Sequence, residues 1–158
     1  MGSLLPPPRG LTRAWALGLG VPFLAALALL TLTPSRVEER MPNLLDLTLT
    51  VAHRLGWSSL DFTRLEILAN VLVFVPVGIL AFLLLPRRVW ALAFVVGPVI
   101  SIAIEAAQRI ALPHRAPTVA DVIANTTGST LGVVIALVCT ALAAALGSQA
   151  RSPRLEAS

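Results

Sequence analysis

Residues 65–85 read LEILANVLVFVPVGILAFLLL, and the only charge among them is Glu66, second in the run. At 1.5 Å per residue such a stretch is long enough to cross the roughly 30 Å hydrocarbon core of a bilayer as a helix. Three more runs of the same kind surround it. Upstream, Ala14–Leu32 (AWALGLGVPFLAALALLTL) holds no charge at all. A cleaved signal peptide is the competing reading there, but its apolar core spans only about 7–15 residues, so an uncleaved span is preferred. Downstream, Pro86-Arg87-Arg88 closes the central run, and a third runs from Val89 to about Gln108 with Gly97-Pro98 near its centre. Pro98 removes a backbone donor and is expected to bend that helix. After the short loop Arg109–Pro117, a fourth helix is expected over Thr118–Leu146. Hydrophobic residues make up 56% of the 158 positions and charged ones 13%, against about 25% charged in a soluble domain. The fold class is therefore all-α, a polytopic membrane bundle of four transmembrane helices without a soluble catalytic domain.

The segment between the first two spans carries NLLDLTLTVAHRLGW (residues 43–57). Leu45, Leu47, Leu49 and Val51 alternate as in a strand, whereas Leu44, Leu47, Val51, Ala52 and Leu55 share a helical face. An isolated strand leaves its backbone unpaired at a membrane, so a short interfacial helix in the first external loop is expected, anchored by Trp57. An even number of spans puts both termini on one side. Six arginines fall on each side, but those of the termini side sit in short segments with only Glu156 as acid, while the others share their loops with Glu38, Glu39, Asp46 and Asp61. The arginine bias places both termini in the cytoplasm. Residues 1–13 and 148–158 are then cytoplasmic tails, and 14–147 is the transmembrane domain of a multi-pass cell-membrane protein.

Other classes fall away on composition. All twelve basic residues are arginine, scattered singly or in pairs without interleaved aromatics, so the high pI does not signal nucleic acid. Cys139 is the lone cysteine; no intramolecular disulfide or cysteine metal site is possible, and it is expected as a small packing residue.

Ionisable and amide groups inside membrane segments are costly and mark sites by default. Glu66 and Asn70 open the second span, Glu105 and Gln108 close the third, and Asp121 and Asn125 open the fourth. In an up-down bundle these three places lie on one membrane face, the outer one in the orientation above. Helical spacing adds to this. Glu66, Asn70, Phe74 and Gly78 share a face, as do Gly97, Ser101, Glu105 and Gln108, and as do Asp121, Asn125, Gly128 and Gly132. Ala124, Gly128, Gly132 and Ala136 form a small-xxx-small run for close helix packing.

Each of these groups has a plain structural reading. Thr118 and Asp121 have the spacing of a capping box at a helix start. Glu66 fits a solvated first-turn acid, Asn70 and Asn125 fit interhelical hydrogen bonds, and Glu105 fits an ion pair with Arg115 or Arg109. His53 and His114 lack metal-ligand spacing, so neither a metal nor another cofactor is expected. No serine lies in a G-x-S-x-G elbow.

Asn70-x-x-x-Phe74-x-Pro76-x-Gly78, then Glu105-x-x-Gln108, then Arg115 followed by Asp121-x-x-x-Asn125-Thr126-x-Gly128-x-x-x-Gly132 together resemble the signature of VanZ-like membrane proteins. The likeness covers about residues 64–135. Thr118 departs from the pattern, which favours Asp or Ser three residues after the arginine. The resemblance implies a role in the bacterial cell envelope, and the family's namesake is associated with antibiotic resistance to teicoplanin-type glycopeptides. Two functions follow as expectations. In the first, a non-enzymatic protein uses Asn70, Glu105, Gln108, Arg115, Asp121 and Asn125 to bind a headgroup, sugar or glycopeptide-like ligand, with Arg115 meeting an anionic group. In the second, a membrane enzyme acts on a lipid-linked substrate with Glu105 and Asp121 as acid and base. A transporter ranks third, hinted at only by Pro76 and Pro98.

Overall fold

The computed structural model describes residues 10–32, 42–111 and 118–149. Among them the chain forms helices α1 (Gly10–Leu32), α2 (Pro42–Arg54), α3 (Phe62–Leu84), α4 (Ala93–Ala111) and α5 (Val119–Gln149), with a short 3₁₀ helix at Arg87–Leu92 leading into α4. No strand occurs among the described residues. Four of these segments are long and apolar enough to cross a membrane, and their boundaries fall within a few residues of those expected.

Local chemistry sets the ends. Asp61 caps α3, its Oδ1 accepting the Arg64 amide at 2.8 Å. At the other end Leu85 turns extended (φ −67°, ψ 143°) because Pro86 disfavours the helical conformation in the residue before it. The helical reading of residues 43–57 holds over α2, which gives way to Gly56 at φ 91°, a left-handed conformation that a residue with a Cβ rarely adopts. Pro76 and Pro98 lie inside continuous helices, so neither span is broken into halves.

The α3–α5 pair is the most extensive packing, α4 packs on α5 and α3, and α1 packs on α3 and α4. Small residues make this closeness possible. A Cβ on Gly128 would overlap the Val71 carbonyl, one on Gly132 the Val75 carbonyl, and one on Gly78 the Ser129 carbonyl. The expected run Ala124, Gly128, Gly132 and Ala136 is buried throughout. Two apolar clusters fill the rest: Leu27, Phe74 and Val77 between α1 and α3, and Ala81, Phe82, Ala93, Val133 and Ala136 where α3, α4 and α5 meet.

The outside is as apolar as the inside. Leu19, Leu29, Leu72, Leu92, Val99, Ile123 and Leu142 each expose more than half of their surface, an arrangement that water disfavours and lipid accepts. Cys139 belongs to this outer surface; it is exposed, not packed, and it follows Ala136, the last buried residue of α5 among those described. Arg87, which closes the central run, is buried.

Candidate functional site

Three hydrogen bonds between helices gather the polar residues at one end. Asn70 Nδ2 on α3 donates to Asp121 Oδ1 on α5 at 2.8 Å. One turn deeper, Asn125 Nδ2 on α5 donates to Ser101 Oγ on α4 at 3.0 Å. Gln108 Nε2 near the end of α4 donates to the Thr31 carbonyl at the end of α1 at 2.8 Å. Since α1 and α4 end where α3 and α5 begin, the spans alternate in direction and the polar groups share one membrane face.

The face expected on α4 is the face buried: Gly97, Ser101, Glu105 and Gln108 all point inward. Glu105 is 9% exposed, Gln108 5% and Asn125 6%. Asn125 Oδ1 is enclosed and accepts no hydrogen bond among the described residues. An enclosed amide oxygen without a donor is costly. On α3 the expected face holds from Asn70 to Gly78, but Glu66 is exposed. The helix begins earlier than expected, at Phe62, so Glu66 lies past its first turn and one turn before Asn70.

Asp121 is engaged through both oxygens. Thr118 Oγ1 donates to Oδ2 at 2.8 Å while accepting the Asp121 amide at 3.2 Å. The capping role is therefore real, in a variant in which the carboxylate accepts a hydrogen bond from the cap's hydroxyl. Of the six candidate residues, Asn70, Glu105, Gln108, Asp121 and Asn125 are placed at this end, and Arg115, like His114, lies outside the described residues. His53 has a local role, its Nε2 2.8 Å from the Leu60 carbonyl.

Two contributors were not read from the sequence. The Thr31 carbonyl joins α1 to the cluster, and a backbone group carries no sequence signal. Ser129 is fully buried, donates to the Thr126 carbonyl at 3.0 Å, and fills the space that a Cβ on Gly97 would occupy. Its signal was its place one turn beyond Asn125.

A helical bundle with a lipid-compatible surface and a buried polar cluster at one end is a multi-pass membrane protein. The chain belongs to the VanZ/LLP1 family, whose model matches residues 20–140. That match extends the resemblance into α1 and takes in all six candidate residues. No curated protein and no solved structure matches the chain.

Proposed function

We propose that this protein is a non-enzymatic component of the bacterial cell envelope, binding the polar part of an envelope amphiphile or a glycopeptide-like ligand at the polar end of the bundle. In this reading the termini are cytoplasmic, the polar end lies in the outer leaflet, and α2 rests in the interface above it. The observation that carries the reading is the convergence of Asn70, Asp121, Ser101, Asn125, Gln108 and Glu105 at one end of an otherwise apolar bundle. Such groups are expensive in a membrane and mark function more often than scaffold. The enclosed Asn125 Oδ1 adds an acceptor for a hydroxyl or amide proton. Leu47, Val51 and Leu55, exposed at steps of four, and exposed Trp57 support an interfacial α2.

The enzymatic alternative needs Asp121 as a proton carrier. Its two oxygens are already held by Asn70 and Thr118, which favours a positioning and binding role.

Glu105→Gln and Asp121→Asn keep the shape and remove the charge. Melting in detergent, paired with growth under teicoplanin or envelope stress, tests the reading. Binding predicts folded variants that lose the growth phenotype, with Arg115→Met plus Glu105→Gln equally inactive. If Glu105 instead serves only a buried pair with Arg115, neutralising it costs about 3–5 kcal/mol. Stability and phenotype then fall together, and the double variant recovers both. That recovery would sink the proposal.

A further inference from the structure

One group at the polar end has a need that the surrounding helices do not meet. Asn125 is 6% exposed, its Nδ2 donates to Ser101 Oγ at 3.0 Å, and its Oδ1 is enclosed without a donor among the described residues. A buried amide oxygen left in this way is costly, and a donor brought to it removes the cost.

Contacts between α4 and α5 fix what lies beside it. A Cβ on Gly97 would meet the Ser129 side chain, and Ser101 bonds Asn125. The two helices run antiparallel, so four residues forward on α4 and four back on α5 put Glu105 level with Asp121 in the next layer outward. Side chains lean toward the start of their own helix. Glu105 therefore leans inward toward the Ser101 layer, and Asn125 leans outward toward Asp121.

These side chains offer lone pairs. Ser101 Oγ accepts from Asn125, Asp121 accepts from Asn70 and Thr118, and Glu105 is a buried carboxylate. A carboxylate has about four acceptor sites, so the bonds that Asp121 and Glu105 already make do not exhaust them. A hydroxyl brings one donor and a primary ammonium three, and charge-assisted bonds to carboxylates are the stronger kind. A trimethylated ammonium has no N–H to give. Ser101, beneath, is fully enclosed, which favours a small group over a methylated one.

We infer that Asn125, Ser101, Glu105 and Asp121 form a subsite for a primary ammonium group, of the kind an aminophospholipid headgroup carries. Asn125 Oδ1 is the fixed acceptor, and the two carboxylates flank it. The inference rests on the binding role proposed above and names the chemistry that the site takes. Gln108, three residues outside Glu105 on the same face and held by the Thr31 carbonyl, rotates to admit the group; side-chain rotations of this kind are common on binding.

Native mass spectrometry of the full chain in detergent provides the test. The probes are phosphatidylethanolamine and its N-monomethyl, N,N-dimethyl and trimethyl (choline) forms, with matched acyl chains at equal concentration. The series keeps the charge and removes N–H donors one at a time. A hydrogen bond to or from a charged group is worth about tenfold or more in affinity. Retained adducts should therefore decline along the series, with the ethanolamine form exceeding the choline form at least about tenfold. Asn125→Leu should bring the two near parity, and Asn125→Asp, which keeps the acceptor, should preserve the preference. If Asn125→Leu fails to fold, the series in the unaltered protein still decides. Free ethanolamine at millimolar concentration separates the sources: displacement of the lipid means that the ammonium is read by itself, and no displacement means that the lipid is required. Both outcomes support the subsite. Parity in the unaltered protein, or a preference that survives Asn125→Leu, overturns it. Parity together with a growth phenotype still lost in folded Glu105→Gln would remove the ammonium and leave the binding role standing.

Discussion

At Asp121 two tasks meet on one carboxylate. Oδ2 holds the Thr118 hydroxyl at the start of α5, and Oδ1 holds the Asn70 amide from α3. The first bond is local, so Thr118→Val should fray α5 and cost about 1 kcal/mol, the usual value of a lost cap. The second joins residues 51 apart in sequence, so Asn70→Ala should loosen α3 from α5. Interhelical polar contacts in membranes average about 0.6 kcal/mol and reach about 1.7; with an ionised acceptor the upper part of that range is expected. The penalty should shrink by more than half in an Asp121→Asn background, because the weakened acceptor is then common to both variants. Unfolding in detergent across this double-mutant cycle checks the coupling, and an undiminished Asn70 penalty would show that Asn70 stabilises the fold by another route. Spacing alone placed Asp121 at a helix start and Asn70 at the same membrane face. That the two touch depends on α3 and α5 being neighbours running in the same direction, which no local pattern states.

Between elements, the contact of α3, α4 and α5 turns on Ser129. Its carbonyl occupies the place of a Cβ on Gly78, and its side chain occupies the place of a Cβ on Gly97. The two glycines should therefore respond differently to one compensating change. Gly97→Ala strikes the Ser129 Oγ and Cβ, and Ser129→Gly removes both atoms, so the paired variant should regain most of the stability that Gly97→Ala loses. Gly78→Ala strikes a carbonyl that every residue possesses, and Ser129→Gly should not rescue it. Gly128→Ala and Gly132→Ala meet the Val71 and Val75 carbonyls and should lower the melting temperature in detergent, while Leu142→Ala on the exposed surface should not. Equal rescue of Gly78→Ala and Gly97→Ala would contradict the geometry. The spans were legible because long charge-free runs end at Arg, Pro or a capping acid, and the α5 seam because its small residues recur every four positions. Ser129 was not, because it lies one position off that seam, facing α4 as well as α3, and only the three-helix contact gives it a role.

On the scale of the whole molecule, polarity is arranged along the bundle axis. Amides and carboxylates collect where α3 and α5 begin, arginines lie at both ends, Arg64 and Arg109 at that one and Arg13, Arg87 and Arg88 where α1 begins and α3 ends, and apolar side chains cover the surface between. The axis was readable in the sequence because charged residues can fall only at the ends of spans. Its direction across the membrane rests on the arginine bias, since six arginines fall on either side and only their concentration in short, acid-poor segments separates the two. Single-cysteine labelling decides it. Cys139→Ala removes the native thiol, which is on the apolar surface of α5 and should tolerate the change with little loss of stability. In that background Asp46→Cys reports the segment that joins α1 to α3, and Arg88→Cys reports the end where α3 stops. A membrane-impermeant maleimide applied to intact cells should modify the cysteine at 46 and spare the one at 88, which should react only after permeabilisation. The reverse pattern would put the polar cluster in the inner leaflet. An extracellular glycopeptide would then have no access to Asn125 and Glu105, and the proposed ligand would have to be an amphiphile approached from the cytoplasm.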